Sequence, residues 1–149
     1  MREIKFRAWQ SCKPGYVYKD EVPRMIDLDM QAYLESGGIN GDIENMQKSG
    51  IILMQFTGLK DTATGSKNGK DIYEGDIVKF KAMILGKRED AVGYVHFNTP
   101  SFEICLIKPE EYAGKSRPMI NWIQKEMEVI GNIYENPELL GSPTESAGP

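Results

Sequence analysis

The sequence predicts a mostly β protein with some irregular and helical turns (α+β): an irregular, β-rich N-terminal lobe, then a small β-barrel or curled sheet. Two observations carry this. Apolar residues alternate with polar ones at a period of two in several short segments, and Gly, Asn, Asp and Pro clusters separate these segments. The 149 residues suit one domain or two small lobes, and a chain of this size buries roughly 70% of the surface it exposes when unfolded. The spacing of the turn signals predicts a lobe over residues 1–60, a loop over 61–70, the barrel over 71–140 and a disordered tail over 141–149.

In the first strand Ile4, Phe6 and Ala8 alternate with Lys5, Arg7 and Trp9, and the pattern stops at Lys13-Pro14-Gly15. Residues 15–19 and 24–28 read as a hairpin across Asp20-Glu21, while 30–35 suits a strand or a helical turn equally. Ser36-Gly37-Gly38 and Asn40-Gly41-Asp42 mark loops. Residues 42–48 read as one or two helical turns, because the Asp42 carboxylate can accept from the free amides of a first turn. Residues 51–56 resume as a strand, apolar on both faces and therefore central.

After the Asn68-Gly69 hairpin signal come five strand-like segments, 72–81, 91–98, 102–108, 119–124 and 127–135. Gly75-Asp76 predicts a bend in the first of them, where aspartate bonds its own neighbouring backbone. At the end, Asn136 is expected to cap a short helix opened by Pro137, with Leu139 and Leu140 folded back onto the barrel.

Lys and Arg total 18 against 22 Asp and Glu, a formal net charge of −4, so the molecule as a whole does not attract polyanions. Cys12 and Cys105 lie far apart and belong to no Cys-x-x-Cys or Cys/His cluster, which predicts two buried free thiols in a reducing cytoplasm. The longest aliphatic run, 51–54, falls far short of the ~20 residues that span a bilayer. Charges at Arg2, Glu3, Lys5 and Arg7 stand where a signal peptide has its apolar core.

Four blocks carry a resemblance. Met1-Arg2-Glu3-Ile4-Lys5-Phe6-Arg7-Ala8-Trp9, Gln55-Phe56-Thr57-Gly58-Leu59-Lys60-Asp61, the stretch from Asn68 to Val78, and the stretch from Val129 to Leu139 together resemble the YopX family. These are small proteins of bacteriophages and prophages, mainly of Gram-positive bacteria. The four blocks occur in the family's order; residues 10–50 match little, and 62–66 look like an insertion. The resemblance implies an SH3-like barrel in the C-terminal half and a cytoplasmic setting in a bacterial host. It implies no biochemical activity.

Enzyme signatures are weak. The single histidine, His96, shares a strand face with Tyr94 and is expected to be a surface or partly buried side chain, because a histidine base needs a nucleophile and an orienting carboxylate. Asp71, Glu74 and Asp76 cluster before a strand; a cation or acid/base role competes with simple turn formation, which explains them more economically. Glu110-Glu111 reads as a first helical turn or polar loop. Thr64-Gly65-Ser66-Lys67-Asn68-Gly69-Lys70-Asp71 lacks the first glycine and the last hydroxyl of a P-loop. No catalytic, metal or cofactor site is therefore expected.

Two binding readings remain. A nucleic-acid face would use Lys79, Lys81, Lys87 and Arg88 for phosphates and Tyr94 for stacking, against the acidic balance and the adjacent Glu89-Asp90. The favoured reading is a protein-interaction module whose contact aromatics are Trp9, Tyr16, Tyr18, Tyr112 and Trp122, with an unidentified host or phage protein as partner. Open strand edges in the N-terminal lobe also allow self-association.

Overall fold

In the computed structural model, residues 5–10, 24–28, 51–62, 69–119 and 127–141 are described. The chain is mostly β, as expected. It divides into two compact units, Met1–Gly58 and Leu59–Pro149.

In the first unit, β1 (Phe6–Gln10) lies between β2 (Arg24–Leu28) and β3 (Ile51–Lys60), antiparallel to both. Strand β1 forms as expected and Ala8 is buried, while Phe6, Arg7 and Trp9 are all half-buried. The expected central position of β3 is also correct, because the sheet order is β2-β1-β3-β4. Its burial is not two-sided throughout. Met54 and Phe56 are buried, but Ile52 is exposed. The expected segments 15–19, 30–35 and 42–48 lie outside the described residues.

The second unit contains β4 (Asp71–Tyr73) and a five-stranded antiparallel sheet in the order β8-β7-β6-β5-β9. Its strands are β5 (Asp76–Ile84), β6 (Lys87–Asn98), β7 (Ser101–Lys108), β8 (Ser116–Pro118) and β9 (Glu128–Asn132). Four strands follow one another as neighbours, and the last returns to pair with β5. Alternation selects the core. Val78, Phe80 and Ala82 of β5 are buried while Lys79, Lys81 and Met83 face outward, and Ala91 and Val95 of β6 join the inner set with Ile104, Leu106, Met119 and Met127. Burying Phe80 alone contributes roughly 1.5–3 kcal/mol.

Two expectations need correction. Residues 72–81 do not form one strand: Gly75 takes φ 85° and the Glu74–Gly75 turn divides β4 from β5. A left-handed residue cannot continue a strand, and glycine adopts it without steric cost. The strand expected at 119–124 lies, apart from Met119, outside the described residues, and β8 at Ser116–Pro118 was not expected. The terminal helix is a 3₁₀ turn, Pro137–Leu140, without a side-chain cap from Asn136, and Leu140 stays exposed.

Asn136 is occupied elsewhere. Its Oδ1 accepts from the Asn132 amide at 3.2 Å, and its Nδ2 donates to Glu138 at 3.3 Å. Satisfying an amide on the adjacent strand competes with capping its own turn.

Candidate functional site

The motif-rich segments of the second unit meet one another around β9. Asp61 accepts from the Val129 amide at 2.9 Å, and Thr62 exchanges hydrogen bonds with Met127. Gly75 takes a bond from the Ile133 amide, Asp76 pairs with Asn132 in the ladder, and Asp76 Oδ2 accepts from Tyr73 N at 2.8 Å. Asn132 Oδ1 accepts from the amides of Tyr134 and Glu135. These polar side chains are used to satisfy backbone groups that strands leave open at their ends.

This arrangement accounts for the acidic cluster. Asp76 is buried with its carboxylate on Tyr73, and Asp71 pairs with Lys60 at 2.6 Å. Among the described residues no group of three or more His, Cys, Asp or Glu is placed to hold a metal ion.

His96 does have polar company. Its Nε2 lies 3.0 Å from Ser116 Oγ and 3.7 Å from Glu103, so hydroxyl and carboxylate face the same ring nitrogen. A relay that activates serine needs them on opposite nitrogens. Beside it on the same face stands Tyr94, ring centroids 5.8 Å apart. Tyr94 stands across the ladder from buried, free Cys105, and hydrogen bonding toward that thiol together with burial pushes the phenol up to about 12. A raised tyrosine pKa means stability that is whole below the unfolded value near 10 and is lost as pH climbs through about 12. The tyrosinate absorbance of the parent minus that of Tyr94→Phe is expected to titrate in that upper range. A difference titration centred near 10 would contradict the bond.

Lys79, Lys81 and Arg88 share the outer face of the β5–β6 ladder with Tyr94, since they pair with Val92, Asp90 and Met83 and Tyr94 pairs with Ile77. Lys79 and Lys81 lie exposed on the outer face of β5, and Lys81 meets Asp90 at 2.5 Å, which holds that carboxyl below the usual carboxylate range. Lys87 and Arg88 open β6 opposite Ile84 and Met83, at the far end of the sheet from half-buried Tyr94.

Trp9 is half-buried in β1 of the first unit, Tyr16, Tyr18 and Trp122 lie outside the described residues, and Tyr112 lies in the second unit. Tyr112 ends the 3₁₀ turn Glu110–Tyr112 that links β7 to β8 and packs against the core. Beside it is a groove of about 230 Å³ lined by Ala82, Met83, Ile84, Leu85, Leu106, Tyr112, Lys115 and Arg117.

The groove's other wall is the turn between β5 and β6. Leu85 and Gly86 are its central residues, with φ 49° and 77°, and Leu85 is 88% exposed. Met83, just before it, is 66% exposed. Positive φ at both central positions is what a two-residue hairpin of this type requires, and Asn-Gly serves it best. Leucine there pays roughly 1–2 kcal/mol of steric strain. Sequence reasoning found Tyr112 but missed Met83, Leu85, Lys115 and Arg117. Leu85-Gly86 between two strand patterns was the available signal, obscured because leucine is a poor turn residue.

Comparisons with known proteins agree with the motif blocks. The sequence matches the YopX protein family over residues 5–141. Protein EF1440 from Enterococcus faecalis, known from a crystal structure, is 22% identical, with 95% of this chain and 100% of that one covered and a TM-score of 0.47. No curated protein matches the chain. Among the described residues no helix is long and apolar enough to cross a membrane. The family match extends over nearly the whole chain and includes the segments that interlock around β9, so the protein belongs to the YopX family.

Proposed function

We propose that this protein is a non-catalytic protein-interaction module, an accessory factor of a phage or prophage acting in the host cytoplasm, with an SH3-like barrel as its binding unit. The last strand's return to the first strand of a four-strand meander supports the barrel reading. The observation that carries the function is the groove between the β5–β6 turn and Tyr112. Its surface is almost wholly apolar, and Met83 and Leu85 stand exposed at its rim. Exposed apolar side chains gathered beside a concave surface mark recognition sites.

Panning a random-peptide display library on the immobilised protein tests this. Enriched peptides are expected to carry a bulky apolar residue and to bind Leu85→Asn at least tenfold more weakly than the parent. Enriched peptides that bind both proteins equally, or no enrichment at all, would remove the groove from consideration.

A further inference from the structure

We infer that the groove's occupant is a short peptide segment that presents one bulky apolar side chain flanked by carboxylates. The inference rests on the interaction-module reading and gives its ligand a chemistry.

Size comes first. Pockets for cofactors and drug-sized molecules occupy ~300–1,000 Å³, whereas this one encloses about 230 Å³. It suits a side chain and its immediate neighbours.

Charge comes second. The lining includes two cations, Lys115 and Arg117, and no carboxylate. Both are exposed, and among the described residues neither is paired with an acidic side chain. Lys115 Nζ lies over the Tyr112 ring at 4.9 Å, and an Arg117 guanidinium nitrogen donates to the Ser116 carbonyl at 2.9 Å. These contacts hold both cations beside the apolar floor without neutralising them. On the sheet's outer face Lys81 is by contrast paired with Asp90. An unneutralised pair of cations over an apolar floor favours an anionic ligand and raises its encounter rate.

Backbone strain at Leu85 is an independent third observation. A hairpin that only had to turn would be more stable with asparagine at this φ, and the exposed side chain buries little within the fold. Strain retained at an exposed position is a mark of function. Leu85 is thereby assigned as the apolar contact that grips the ligand's anchor.

The test uses labelled dodecapeptides with a central Leu, Phe or Trp flanked on both sides by Asp/Glu, by Ser/Gly or by Lys, measured by fluorescence anisotropy at low and high salt. The Asp/Glu series is expected to bind at least tenfold more tightly than the Ser/Gly series, with the advantage shrinking at high salt. It should vanish in Lys115→Gln/Arg117→Gln. Leu85→Asn should weaken the Asp/Glu and Ser/Gly series alike while leaving the thermal midpoint equal or higher. Equal affinity of acidic and neutral peptides, both sensitive to Leu85→Asn, would overturn the acidic specificity and leave the groove standing. Absence of binding by every series, or binding indifferent to Leu85→Asn, would overturn the groove itself. A concentration-dependent doubling of mass without peptide that Leu85→Asn abolishes would assign the apolar rim to a second copy and also overturn the inference.

Discussion

Replacing Gly93 with alanine is expected to destabilise the protein by about 3 kcal/mol, near the upper end of the usual cost of overpacking a core. Gly93 lies inside β6 between buried Ala91 and Val95, opposite Leu106, at a point where the β6–β7 register shifts. A Cβ there would strike the Cγ2 methyl of Ile104 and stand 2.6 Å from the Cys105 carbonyl oxygen. The methyl can move aside by a rotamer change. The carbonyl cannot, because it belongs to the backbone of β7, and displacing it displaces the strand. Thermal unfolding should show a fall in midpoint of roughly 6–12 °C for a chain of this size. Hydrogen exchange should quicken most at the amides of β6 and β7. A change within about 0.5 kcal/mol, as an ordinary surface substitution gives, would mean that the two strands can separate freely here.

Asn132→Ala is expected to cost about 2–3 kcal/mol, through hydrogen bonding rather than packing. The side chain is 7% exposed. Its Oδ1 receives the Tyr134 amide at 3.0 Å and the Glu135 amide at 2.8 Å. Alanine would leave both donors without that acceptor in a part-buried turn, and the turn also delivers the Ile133 amide to the Gly75 carbonyl. Loss should therefore extend from the β9 end to the β4–β5 turn. Asn132→Asp keeps an acceptor in place and should recover much of the stability at neutral pH. If alanine and aspartate behave alike, the carbonyl oxygen is not what holds the turn. Neither substitution touches the groove. Peptide affinity measured well below each variant's unfolding midpoint should be unchanged.

These two residues show where sequence reasoning reached and where it stopped. Asn132 stands in a segment that reads clearly, Glu128-Val129-Ile130-Gly131-Asn132, and turn chemistry is local, so its neighbourhood was legible. Its actual partners were only partly so. The contacts from Asp61 to Val129 and from Ile133 to Gly75 join residues distant in the chain, and no periodicity encodes which turn receives which strand end. Gly93 reads as a weak position inside a strand. Its need for glycine arises from a carbonyl on the neighbouring strand, which is visible only once β6 and β7 are paired.

The candidate site divides in the same way. Tyr112 was identified as an aromatic available for contact, because an amphipathic ring outside a strand pattern is conspicuous. The groove beside it joins that ring to the tip of a hairpin and to two cations after the 3₁₀ turn, and only the sheet's curvature and connections bring these together. Lys79 and Lys81 were grouped by their shared strand face and Lys87 and Arg88 by nearness; the ladder puts Lys79, Lys81 and Arg88 on the face of Tyr94, with Lys81 paired to Asp90 and Lys87 and Arg88 at the strand's other end.

By itself the sequence determined the β class, the outward face of Lys79 and Lys81, the shared face of Tyr94 and His96, and the family, because alternation and turn residues act over a few positions. Tertiary structure alone decided that Glu74–Gly75 breaks a strand, that Asn136 serves β9 rather than its own turn, and that Leu85, Tyr112, Lys115 and Arg117 share one groove. The Gly75 turn and the groove depend on neighbours far along the chain, chosen by packing, while Asn136 answers the demand of a nearby backbone amide for a partner.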